Sequence, residues 1–163
     1  MSSTKVSNDC ITSLEGSKLT GNVSAAMLTG TLPALSVGGT LNGQDNTLSN
    51  VNLKDYGEVT NAIGSTGGGT QDIDLTLGNV VSATVDTSAN TFTFSNPSAT
   101  GNNCGFVLYL TNGGSQTVNW PASVDYPGAT APTLTEAGVD VLVFNTTDAG
   151  TTWLGNLVGA AYA

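Results

Sequence analysis

The 163-residue sequence predicts an all-β protein: an antiparallel β-sandwich of jelly-roll type, preceded by an extended N-terminal arm that forms a short trimeric shaft. Three observations predict it. From about Gly69 onward, apolar residues alternate with Ser, Thr, Asn and Asp over short runs, the period-two pattern of strands with one buried face. Gly, Asn, Asp and Pro, the residues that turns require, separate those runs. Before Gly69 the alternation is missing: residues 14–53 scatter Leu and Val among Gly, Ser, Thr and Asn, and Gly, β-branched residues and Pro33 disfavour a helix.

Residues 1–20 hold two of the three lysines beside a few apolar residues. They read as an attachment segment, with Lys5, Val6, Ile11, Leu14, Lys18 and Leu19 as its contact residues. Residues 21–68 read as a Leu/Gly-rich shaft and hinge. A single chain cannot bury these scattered side chains, whereas three copies wound about one axis can, which implies a homotrimer. "GSTGGGT" (64–70) has no side chains to specify a fold and reads as the hinge.

The sandwich is expected over 69–163. "DIDLTL" places Ile73, Leu75 and Leu77 on one face, and "VSATVD" does the same for Val81, Ala83 and Val85. "TFTF" alternates Phe92 and Phe94 with Thr; "FVLYL" aligns Phe106, Leu108 and Leu110. Gly113-Gly114 predicts a two-residue hairpin leading to "TVNW". Pro121, Pro127 and Pro132 keep 119–134 out of any central strand and predict a long ordered loop. "VDVLVF" offers Val139, Val141 and Val143 to the core, and "TTDAGTTW" makes a final hairpin through Asp148 and Gly150 into "TTWLGNLV".

Composition excludes several function classes. Charged residues are 9% of the chain, against a usual quarter, and nine of the twelve acids follow Lys54, the last cation. A net charge of −9 repels phosphate backbones, so nucleic acid is not an expected partner. No run approaches about 18 apolar residues, so membrane insertion is not expected either. The start lacks an apolar signal core; synthesis in a cytoplasm follows, with Cys10 and Cys104 reduced rather than bridged.

Enzymatic chemistry finds no purchase. There is no histidine, so the commonest general base and metal ligand is missing. Asp72/Asp74 and Asp140/Asp148 are the only pairs worth inspecting for glycoside hydrolysis, and they read as solvated strand and turn acids. "DTSAN" (86–90) and "TTDAG" (146–150) match no calcium-loop spacing, and "GSTGGGT" lacks the lysine of a phosphate loop. No catalytic residue, cofactor or metal is expected. Trp120, Tyr126 and Asp125 are the candidate glycan contacts, although Trp120 and Trp153 also suit the core of a small sandwich.

The segment "LYLTNGGSQTVNWPASVDYPGATAPTLTEAGVDVLVFNTTDAGTTWLG" resembles the C-terminal β-domain of tailed-bacteriophage fibre and virion-surface proteins. In that family "NW-P" is followed by "G-APTLT-AG-D-L-F-T-DGG--W-G". The resemblance covers about 69–159, and "GSKLTGNVSAAMLTGTLPALS" is similar to the Leu/Gly-rich shafts before such domains. Ala149 departs from it, standing where the family has Gly, and the shaft is short for a tail fibre. The resemblance implies a homotrimeric virion decoration protein or short head fibre, made in the bacterial host cytoplasm and attached to a capsid, neck or tail protein. Its rival is a neck or tail fibre, or an adhesin that recognises a host-surface glycan.

Overall fold

The computed structural model describes Gly43 and residues 47–163. The chain divides into two compact units, Met1–Asn52 and Leu53–Ala163. Of the first, the described residues are exposed and form neither helix nor strand. The attachment segment 1–20 and most of the expected shaft lie outside the described residues.

The second unit is mostly β, as expected. Its strands are β1 (Thr60–Ser65), β2 (Gly69–Asp74), β3 (Val80–Thr84), β4 (Asn90–Ser95), β5 (Cys104–Thr111), β6 (Val118–Asn119), β7 (Val124–Asp125), β8 (Val139–Thr146) and β9 (Trp153–Tyr162). They form a six-stranded sheet in the order β1-β3-β5-β8-β9-β7 and a three-stranded sheet in the order β2-β4-β6.

The connectivity corrects the antiparallel expectation. From β1 to β6 the chain alternates between the sheets, and each strand lies parallel to the one two before it: β3 on β1, β5 on β3, β4 on β2, β6 on β4. The first six strands are therefore three stacked turns of a parallel winding rather than jelly-roll hairpins. Antiparallel pairing begins only when β8 returns along β5 and β9 along β8; β7 then adds a short parallel edge beside β9. Period-two alternation is the same for both directions of pairing, so it could not reveal this.

The folded unit also starts earlier than Gly69. β1 comes from the expected hinge region and pairs with β3. "GSTGGGT" is a corner joining β1 to β2, in which Gly64, Gly67, Gly68 and Gly69 all take positive φ. The next turn's corner holds it: Thr66 N donates to Thr84 O at 2.9 Å, and Gly69 N to Ala89 O at 2.9 Å.

Both sheets contribute to one core of Ile73, Val81, Ala83, Val85, Phe92, Phe106, Leu108, Leu110, Leu142, Phe144 and Trp153. Phe94 joins the layers from β4, its ring edge-on to Phe106 (4.9 Å), Phe144 (5.1 Å) and Trp153 (5.3 Å). Such pairs add about 0.5–1.5 kcal/mol each beyond the area they bury.

Three local expectations are corrected. Leu75 and Leu77 do not extend β2: the Asp74 carboxylate accepts the Thr76 N–H and turns 75–77 into a 3₁₀ turn, leaving Leu77 exposed. Gly113-Gly114 is not a hairpin, because β5 and β6 belong to different sheets. Asn112 takes the left-handed conformation there, and the glycines are required by space: a Cβ on Gly114 would run into the Leu134 carbonyl. In β8 the buried face is Asp140, Leu142, Phe144 and Thr146, while Val139, Val141 and Val143 point outward.

Candidate functional site

The carboxylates singled out by the sequence are spent on holding the chain. Asp72 is exposed on β2 and accepts the hydroxyls of Thr93 (2.7 Å) and Ser95 (2.6 Å) from β4. Asp74 accepts Asn96 Nδ2 at 2.9 Å and both the N–H and hydroxyl of Thr76, and these donors hold its carboxyl below the usual range. The two acids thus clamp β2 to β4 from the outer face.

Asp140 and Asp148 do not converge. Asp140 is fully buried and accepts Thr135 N (2.6 Å), Thr135 Oγ1 (2.6 Å) and Ala161 N (3.1 Å), tying the loop before β8 to the end of β9. Asp148 organises the β8–β9 turn: it accepts Thr152 N at 2.9 Å and Thr146 Oγ1 at 2.7 Å, which lowers its pKa. The Thr146 hydroxyl in turn accepts Gly150 N at 3.1 Å. Ala149 sits in this turn at φ 57, a left-handed position that glycine occupies at least cost.

Asp86, which the sequence reading grouped only with an unmatched cation loop, anchors the glycine corner. It accepts the Ser65 hydroxyl and the backbone N–H of Thr87 and Gly67, and its pKa is lowered. Each donor is a neutral hydroxyl or amide, so these acids cap turns and bridge neighbouring strands. Among the described residues no three of His, Cys, Asp and Glu come together.

The candidate glycan contacts separate. Trp120 is half-buried and stacks on Phe92, with ring centroids 5.3 Å apart and planes 18° apart, so one ring face is committed to the core. Its other contacts are Phe144 at 5.1 Å and Tyr126 at 6.5 Å. Tyr126 presses its ring against Phe144, and burial raises the pKa of its hydroxyl. Only Asp125 of the three is exposed. Asp125 and Tyr126 do share a shallow cleft of about 280 Å³ with Pro127, Leu154, Gly155 and Asn156. The Gly155 Cα leaves the room that the Tyr126 and Phe144 rings occupy.

Lys5, Val6, Ile11, Leu14, Lys18 and Leu19 lie outside the described residues, as does Cys10. Cys104 is half-buried at the start of β5, its sulfur accepting Ser98 N at 3.2 Å.

The conspicuous residues of 108–155 are thus mostly architectural. Asn112 and Gly138 lock the end of β5 to the start of β8, through Asn112 N to Gly138 O (2.8 Å) and Gly138 N to Asn112 Oδ1 (3.2 Å). What the sequence missed is the outer face of the six-stranded sheet, where Tyr109, Leu154, Val158 and Tyr162 are exposed. The alternation in β8 carried a signal of it, since both of its phases are apolar. No family model, curated protein or solved structure matches this chain.

Proposed function

We propose that the protein is a structural component of a bacteriophage virion surface: a homotrimeric decoration protein or short head fibre. An extended N-terminal arm anchors it to a capsid, neck or tail protein, and a β-sandwich head faces outward. It performs no catalysis and needs no cofactor.

One observation supports this reading above the others. Residues of the pattern shared with phage virion-surface domains, Trp120, Thr135, Gly138, Asp140, Asp148 and Trp153, are engaged in turns, clasps and core packing. A surface-building protein needs a robust scaffold with uncharged polar solvation, and these residues supply the scaffold. The Asp125–Asn156 cleft is the place a glycan would occupy under the adhesin reading.

Cryo-EM of purified particles tests the proposal. Copies in multiples set by capsid symmetry, three to a site, are expected; absence from particles would overturn it. Deleting residues 1–20 is expected to leave a folded head that no longer binds particles. Full occupancy by the truncated protein would refute the anchoring role, and glycan-array binding lost on Asp125→Ala would favour the adhesin.

A further inference from the structure

The outer face of the six-stranded sheet is unusually free of charge. The strand registers set its side chains in three rows: Val80-Val107-Val143-Asn156, Ser82-Tyr109-Val141-Gly159 and Thr84-Thr111-Val139-Tyr162. Among the described residues of β3, β5, β8 and β9, none on this face is charged; the nearest acid by register is Asp125, on the β7 edge beside Leu154. Tyr109 is 43% exposed, Tyr162 54% and Val158 64%. Tyr109, Val139, Val141 and Tyr162 line a cleft of about 450 Å³, large enough for an aromatic side chain. Gly159 makes that shape possible, because a Cβ there would collide with the Tyr162 ring.

We infer that this face is the surface through which copies of the chain meet. The inference rests on the homotrimer reading and names the contact surface within it. Charge selects the occupant. Among the described residues Lys54 is the one cation against nine acids, so a contact made through the acidic surfaces is largely repulsive. The three-stranded sheet carries Asp72 and Asp74 outward, and the turns carry Asp86, Glu136 and Asp148. Among the described residues, the face built on Val107, Tyr109, Val141 and Tyr162 can approach its own copy with no like charges opposed.

Its extent fits as well. Four strands about 4.8 Å apart and three rows about 6.8 Å apart cover roughly 400 Å². That area is about half of one side of a standard interface, so the contact is expected to be reversible and concentration-dependent.

The test is sedimentation equilibrium of the full-length chain and two variants. Val141→Glu puts a carboxylate in the middle row, and Val158→Glu puts one where β9 bulges outward, at a position too exposed to threaten folding. Thr70→Glu, at an exposed position on the outer face of the three-stranded sheet, is the control. Wild type and Thr70→Glu are expected to form trimers, and both valine variants to associate at least tenfold more weakly with unchanged circular dichroism. If wild type is trimeric and Val158→Glu associates as tightly as wild type, this face is not the contact and the homotrimer reading survives. If wild type is monomeric at micromolar concentration, the homotrimer reading itself fails.

Discussion

Replacing Asp140 with Ala should destabilise the folded unit strongly. The carboxylate is fully buried and receives three hydrogen bonds, two of them at 2.6 Å from Thr135. Hydrogen bonds to a charged acceptor contribute about 1.5–3 kcal/mol each, and an orphaned buried donor costs about 1–3 kcal/mol. Ala161 is exposed, so its N–H regains water, and two Thr135 donors remain to be counted. Removing the carboxylate also removes the desolvation it suffered on burial, several kcal/mol in the opposite sense. The two Thr135 donors left without an acceptor cost about 1–3 kcal/mol each, and because Thr135 is only half-buried about 3 kcal/mol in all is expected. At about 4 °C per kcal/mol for a domain near 100 residues, a loss of 3 kcal/mol lowers Tm by roughly 12 °C. Urea titration and thermal circular dichroism measure both quantities. A loss below about 1 kcal/mol would refute the clasp.

Three further outcomes are expected. Ala149→Gly relieves a left-handed alanine that costs about 1–2 kcal/mol, offset in part by glycine's greater unfolded-state entropy, and should raise stability by about 0.5–1 kcal/mol; an unchanged urea midpoint contradicts this. Gly105→Ala drives a Cβ into the Phe144 carbonyl across the β5–β8 ladder and should cost about 2 kcal/mol or more, read from the same titration. Asp74, Asp86 and Asp148 have folded pKa values below their unfolded value of 3.8, so their contribution is complete above about pH 4 and lost as pH falls through the folded values. Asp86→Asn should therefore lower Tm at pH 7 and flatten its decline between pH 4 and 2; parallel pH curves for variant and wild type would exclude the corner role.

Burial was legible wherever one phase of a strand was apolar and the other polar. Val81, Ala83 and Val85, and likewise Phe106, Leu108 and Leu110, are inward as the alternation requires. β8 defeated the rule because its outward phase is valine and its inward phase begins with an aspartate. Asp140 can be buried only because Thr135 and Ala161 meet it, and residues 5 and 21 positions away leave no mark on a period of two. Strand direction was not legible either. β3 and β5 pair in parallel because the chain crosses to β4 between them, and that crossing depends on the Asp86 corner and on glycines that look like a hinge.

The resemblance in 108–155 rests on residues that hold the fold together. Its conspicuous residues close three gaps. Trp120 seals the end of the core against Phe92, Asp140 clasps the loop before β8, and Asp148 with Thr146 forms the β8–β9 turn. Each would be needed in any head of this shape, whatever that head bound. Under the proposed reading a ligand or a neighbouring copy would instead meet residues outside those closures. On one edge these are Asp125 and Asn156, on the broad face Tyr109, Val141, Val158 and Tyr162. Substitution there should change association while leaving Tm nearly constant, and substitution at Asp140 or Asp148 should do the reverse. The two sets of residues thus separate the stability of the head from whatever it contacts.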